Sequence, residues 1–334
     1  MDAEAFLADL EASPAALREL AAALRDGLVA NVEVADITRV VFTGMGSSRF
    51  AALPVAAWLR ARGIDAVAEY ASLEQPHPAG PGTLVIGVSA SGSTPETIAA
   101  LAARAPGTRR VAVTNRPGPL ANHAEHHVAM HAGEERGGVA CRSFRASLAV
   151  LFAIAGRVAG AQSAPQVGRH LDVVAACDRA ADAAEHLLEH RERWLAPTVE
   201  VLAEHPASFL IAPAERRSSA EQGALMLREG PRRQADAAET GDWCHVDVYL
   251  TRPLAYRGLL FTGSRFDRDA LDWLERRRSR MVAVGGHHAE LHASPAIAHA
   301  VRYRHDDDAL TALLVEVLVP ELIAASFWRR PHPG

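Results

Sequence analysis

Two segments of this chain share a plan that few folds accommodate. An apolar run over 37–42 leads into Thr43-Gly44-Met45-Gly46-Ser47-Ser48, and a second over 84–88 leads into Ser89-Ala90-Ser91-Gly92-Ser93-Thr94. Each reads as a strand, a loop of glycines and hydroxyls, then a helix. Such a loop offers hydroxyls, backbone N–H groups and a helix N-terminus to one anion. Two of them at one end of a parallel sheet make a pocket for a phosphate group. In the second loop Thr94 is placed to cap the next helix, and Pro95 suits its first position, where the N–H it lacks is not needed. Gly92 lets the backbone come close to a ligand. The candidate phosphate contacts are Gly46, Ser47, Ser48, Ser89, Ser91, Gly92, Ser93 and Thr94. One such loop alone would read as an ordinary capped helix; the similarly placed pair carries the phosphate reading.

Around these loops the sequence alternates. Strands are expected at 37–42, 65–70, 84–88, 110–114 and 127–131, with helices at 49–62, 95–104 and 144–159. That alternation predicts a parallel α/β domain. Residues 2–30 carry helical spacing, 160–167 read as a break, and helical spacing resumes over 170–205. The second half then repeats the layout, with strands at 208–212, 258–261 and 281–284 and helices at 218–228, 267–278 and 309–328. A chain of 334 residues exceeds one average domain. The expected layout is a helical segment over 1–32, a first α/β domain with the phosphate loops over 33–165, a helical linker over 166–195 and a second domain over 196–334. The fold class is α/β: two tandem domains, each a three-layer αβα parallel sheet of flavodoxin or Rossmann type. Leu259-Leu260-Phe261-Thr262-Gly263-Ser264 echoes the second strand and loop without the dense hydroxyls, so one phosphate site per chain is expected.

Composition removes several classes. A net charge of −5 argues against a nucleic-acid partner. The N-terminus lacks a basic-then-apolar leader, and no apolar run reads as long enough to span a membrane. Cys141, Cys177 and Cys244 show no metal or redox spacing and suit a reducing cytoplasm. The chain contains no lysine; its 35 basic residues are all arginine. Imine chemistry needs an amine that deprotonates, which arginine does not supply. His123-Ala124-Glu125-His126-His127 and His287-His288 lack carboxylate support at helical spacing, so no metal and no cofactor is expected.

Isomerising a sugar phosphate needs a carboxylate to move a proton between neighbouring carbons and a second group to open the ring. Glu229 closes an expected helix, and His245 carries a side chain of the type that can take and return a proton. Here the sequence resembles the sugar isomerase (SIS) domain family, in particular the isomerase half of glucosamine-6-phosphate synthase and its deglycase and deaminase relatives. The matching stretches are Gly46-Ser47-Ser48, Ser89 to Thr94, Ala132-Gly133-Glu134-Glu135 leading to Gly138-Val139-Ala140, Glu221 to Glu229, and Gly241-Asp242-Trp243-Cys244-His245, within about 35–325. The resemblance implies that Glu229 transfers the proton and that His245 opens the ring. It also implies that Val139 and Ala140 border the sugar, and it offers Glu135 as a third catalytic candidate. In the family this histidine can come from the neighbouring subunit, which implies a homodimer with a shared site.

Departures are specific. Met226 stands where the amidotransferase has a lysine, Val246-Asp247 replace the usual Gly-Pro, and the sequence ends without the tail that carries another active-site lysine. It also shows no glutaminase domain and no cysteine at position 2, so ammonia from glutamine is not expected. The expected function is a phosphosugar aldose/ketose isomerase or an amino-sugar-phosphate deaminase or deglycase. The alternative is a sugar-phosphate sensor without turnover.

Overall fold

Buried apolar strands joined by Ala-rich helices form two α/β units. The computed structural model describes residues 1–162 and 171–330. The units do not follow the chain. The first takes 15–134 and 140–178; the second takes 1–14, 135–139 and 179–334. Helix α1 (Ala3–Glu11) therefore belongs to the second unit, where the Gly137 N–H donates to Asp9 Oδ2 at 2.7 Å and Phe6 packs its ring 5.8 Å from that of Trp328.

The first unit contains α2 (Ser13–Arg25), β1 (Arg39–Gly44), α3 (Ser47–Arg60), β2 (Asp65–Tyr70), β3 (Thr83–Ser89), α4 (Pro95–Ala102), β4 (Arg109–Thr114), β5 (His126–Ala129) and α5 (Arg142–Ala161). Its sheet runs β2-β1-β3-β4-β5, and every pairing is parallel. All seven residues of β3 are buried, as a central strand covered on both faces requires. Val41, Val85, Leu101, Ala112 and Leu120 form a core cluster against it.

Helix α6 (Val173–Glu189) leads into the second unit, which continues with α7 (Arg191–Ala203), β6 (Ser208–Ala212), α8 (Arg217–Glu229), β7 (Ala235–Glu239), α9 (Thr240–Trp243), β8 (Arg257–Phe261), α10 (Asp267–Arg276), β9 (Arg280–Val284), β10 (Ile297–Val301), α11 (Ala309–Val315) and α12 (Leu318–Trp328). Its parallel sheet runs β10-β9-β8-β6-β7. Counted from its own first strand, that is the strand order of the first unit.

The sequence reading missed β7, α9 and β10. It drew one C-terminal helix where the chain bends at Glu316 and Val317 between α11 and α12. Residues 163–167 of the expected break, the expected helix start at His170 and residues 331–334 lie outside the described residues. Contrary to the expectation that no apolar run is long enough to span a membrane, two helical stretches are. Both α5 and the stretch Ala309–Trp328 are long and apolar enough by length and composition. Both are mostly buried, at 67% and 83% of the most apolar stretch, as core helices are.

Candidate functional site

In the first unit the strand order reverses between β1 and β3: the chain moves outward to β2, then returns to the other side of β1. Loops leaving two strands at such a reversal diverge and open a crevice at the strands' carboxyl ends. The loops that leave β1 and β3 are the two hydroxyl-rich loops of the sequence.

After β1, Gly46 takes φ +49° and ψ −126°, a conformation that side chains disfavour. The chain thereby turns at once into α3, whose first two residues are Ser47 and Ser48. After β3, the buried Ser89 hydroxyl lies 2.8 Å from Thr94 Oγ1 and 3.4 Å from Ser91 Oγ. Ser91 Oγ accepts from the Ser93 N–H at 3.2 Å and the Ser93 hydroxyl at 3.0 Å. Ser89, Ser91, Ser93 and Thr94 thus converge into one hydroxyl cluster at the start of α4. Thr94 occupies the cap position, but its side chain makes no capping bond. The expected cap is absent because Ser89 engages the hydroxyl.

The loop is braced from behind. Gly92 has φ +67°, and a β-carbon there would stand 2.8 Å from the Arg116 carbonyl. The N–H groups of Asn115 and Arg116 both donate to the Ala90 carbonyl, at 3.1 and 3.2 Å. Asn115 then fixes the next segment: its Nδ2 donates to the Gly133 carbonyl at 2.7 Å and its Oδ1 accepts from the Ala132 N–H at 3.0 Å.

Sequence reasoning missed Arg49. It lies in the first turn of α3, directly after Ser48, and is only partly exposed. Its guanidinium stacks 3.9 Å from the centre of the Tyr70 ring, its Nε is buried without a hydrogen-bond partner, and among the described residues no carboxylate pairs with it. An unpaired cation beside a phosphate loop is the signal. One arginine among 35 basic residues does not announce itself.

The remaining candidates are spread out. The chain enters the second unit at Glu135 and leaves it at Val139, so Ala140 is back in the first unit. The Val139 side chain is buried, which leaves its backbone as the part that can meet a ligand. Glu229 ends α8 and is half-buried; burial pushes its carboxyl above the usual carboxylate range, and Arg228 and Arg232 pull it partly back. Met226, one turn earlier, is fully buried. The Arg228 guanidinium donates to the Ala235 carbonyl at 2.9 Å, so this helix end sits at the start of β7.

His245 lies beyond the other end of β7. Glu239, the last residue of β7, caps α9 by accepting the Asp242 N–H at 2.8 Å, and the His245 N–H donates to the Asp242 carbonyl at 2.9 Å. Strand β7, five residues and roughly 15 Å long at about 3.3 Å each, lies between the two candidates along the chain. Exposed His245 borders a cavity of about 690 Å³ with Asp242, Tyr249, Phe266 and Asp269. Cys244 lines it too, and burial pushes its thiol up to about 11.

The second unit has its own reversal, between β6 and β8. There the chain's own side chains fill the crevice. The buried Arg216 guanidinium donates to Glu316 and to the Thr262 carbonyl, and Asp267 accepts the Gly263 N–H at 2.6 Å. In the histidine-rich stretch of the first unit, Glu125 is bound to Arg110 at 2.6 Å and His127 Nε2 to Thr114 at 2.7 Å.

Residues 33–156 match the family described as SIS domain. The isomerizing glutamine–fructose-6-phosphate aminotransferase of Gloeobacter violaceus is 31% identical over 225 residues, covering 65% of this chain and 36% of that protein. The chain spans just over a third of the length of the curated relatives it matches. Among solved structures, the C-terminal domain of glucosamine-fructose-6-phosphate aminotransferase from Francisella tularensis has a TM-score of 0.81 at 14% identity, covering 97% of this chain and 96% of that one. Tagatose-6-phosphate ketose/aldose isomerase from Escherichia coli has a TM-score of 0.74 at 18% identity, covering 99% and 96%.

Proposed function

From the premise that residues 33–156 are a SIS domain, we propose that this chain binds a sugar phosphate and moves a proton between its C1 and C2. The observation that carries the reading is the convergence of Ser89, Ser91, Ser93 and Thr94 at the strand reversal. These hydroxyls bond one another. A phosphate offers acceptors for each, and a hydroxyl bonded to a charged oxygen contributes about 1.5–3 kcal/mol.

Glu229 is the proposed base. Its carboxylate can take a proton from C1 of an open-chain ketose and return it to C2, leaving an aldose; the hydroxyl proton passes from O1 to O2. Where a nitrogen stands on the sugar, the same proton transfer gives an imine, and water then hydrolyses it to a carbonyl, releasing ammonia in a deaminase or the glycated amine in a deglycase. His245 is the proposed ring-opening group. Because β7 separates it from Glu229, its contribution to a site containing Glu229 comes from a second copy of the chain. A homodimer with shared sites follows. Glu135 is the reserve candidate for the base.

The experiment is a panel of sugar phosphates in deuterated water, followed by NMR for exchange at C1 and C2. Exchange in the parent that falls about 10²–10⁴-fold in Glu229→Gln supports the assignment. Equal exchange in parent and variant transfers the role to Glu135. No exchange with any sugar that binds favours the sensor reading.

A further inference from the structure

Beside the edge strand β10, the second unit holds a cavity of about 700 Å³ that none of the candidate site residues lines. Helix α7 gives it Trp194, Pro197 and Val201, an apolar wall. Strand β10 faces that wall through a bulge: its pairing with β9 shifts register between Ile297 and His299. A bulge re-aims a side chain. Here His299 Nε2 reaches Thr198 Oγ1 at 2.8 Å, and Thr198 gives its own hydrogen to the Trp194 carbonyl at 2.6 Å. The proton of neutral His299 is therefore on Nε2, and Nδ1 is uncommitted. His190 donates from Nδ1 to the His186 carbonyl at 2.9 Å, which leaves its Nε2 uncommitted. The His186 and His190 rings stack at 4.3 Å, and His186 Nδ1 is buried with no hydrogen-bond partner.

Positive charge borders this cluster. Arg193 lines the cavity, and its guanidinium pairs with no described residue. Arg280 shares the Glu204 carboxylate with Arg257, at 2.9 and 2.6 Å, so two cations rest on one anion. Arg302 is held by Asp306 at 2.5 Å. Three guanidiniums, those of Arg193, Arg280 and Arg302, thus line the cavity with the carboxylates of Glu200 and Glu204, and Glu189, Asp306 and Asp307 stand nearby. Burial, with His190 and Arg304 nearby, keeps His186 below its ordinary value; burial and Arg280 do the same for His299. Among the described residues no group of three His, Cys, Asp or Glu suits a metal ion. The lining itself carries one more guanidinium than carboxylate and is rich in donors that match a phosphate.

We propose that this cavity is a second ligand site, which takes a small phosphate monoester with its phosphate met by Arg193 and Arg280 and its uncharged part against Trp194 and Pro197. Such a compound could act on the protein without occupying the hydroxyl loops of the first unit.

Calorimetry on the full chain tests this, with fructose 6-phosphate and inorganic phosphate as probes. Two binding events are expected for fructose 6-phosphate. Arg193→Glu, an exposed position whose change leaves thermal unfolding as in the parent, weakens one event at least tenfold. Arg280→Gln weakens the same event, Ser91→Ala leaves it unchanged, and inorganic phosphate displaces it. The proposal is overturned if both arginine variants bind as the parent does. It is equally overturned if zinc chloride, and neither phosphate probe, binds in a manner lost on His186→Gln with His190→Gln.

Discussion

Glu229 and His245 lie at opposite ends of strand β7. The first is tied to its start through Arg228 and the Ala235 carbonyl; the second follows the capped turn after Glu239. That strand is roughly 15 Å long. The proposal that both act on one sugar therefore draws them from two copies of the chain.

Mixed variants test that division. Glu229→Gln and His245→Asn, each nearly inactive alone, should recover about a quarter of the parent rate when refolded together in equal amounts. Half of the dimers then pair unlike chains, and each of those holds one intact site. No recovery, with mixed dimers demonstrated by mass, would contradict sharing.

The burial of Glu229 makes a stability prediction. A carboxyl raised by burial binds its proton more tightly in the folded chain than in the unfolded one. Folded stability therefore falls as pH rises from the ordinary carboxylate range through the raised value of Glu229. Glu229→Gln should melt higher than the parent at pH 7, and the gain should vanish below about pH 4, where both states are protonated. A gain unchanged at low pH would assign it to something other than the carboxyl's charge.

Arg49 gives a prediction about binding. Its guanidinium stacks on Tyr70 and its Nε finds no hydrogen-bond partner among the described residues, so Arg49→Leu should cost about 0.5–1 kcal/mol of stability. Its charge beside Ser47 and Ser48 should matter more to an anion, and phosphosugar affinity should fall about tenfold, a loss of about 1.4 kcal/mol. Affinity equal to the parent's would place this cation outside the site.

The filled crevice of the second unit predicts a different kind of loss. Arg216 and Glu316 are both buried and bonded to each other. Glu316→Gln leaves a buried guanidinium without its counter-charge and should destabilise the chain by about 3–5 kcal/mol in denaturant unfolding. Phosphosugar binding to the folded fraction should be unchanged, because the proposed phosphate seat lies in the first unit and the Arg216–Glu316 pair in the second.

The sequence showed what repeats and what is dense. Strand β2 falls on the expected 65–70, and the hydroxyl loops are visible because their residue types serve no apolar core. Strand β7, Ala-Asp-Ala-Ala-Glu, has no β-branched or aromatic residue and is a strand through its pairing with β6. Missing it also hid the separation of Glu229 from His245 along the chain, since β7 lies between them. Thr94 carried the right chemistry for a cap, but a hydroxyl five residues earlier, Ser89, competes for it. That competition is a tertiary fact of the loop. Arg49 was invisible for a similar reason: its lack of a partner appears only when its surroundings are known.

The central claim, a phosphate seat built from the hydroxyls after β3, is tested most directly by titrating fructose 6-phosphate into the parent and Ser91→Ala by calorimetry. Ser91 Oγ accepts twice from Ser93 and lies within reach of Ser89, so its removal opens the middle of the cluster without touching the buried strand. The account predicts that the event assigned to this loop weakens at least tenfold while the melting temperature stays as in the parent. Unchanged affinity in a folded Ser91→Ala protein would contradict it.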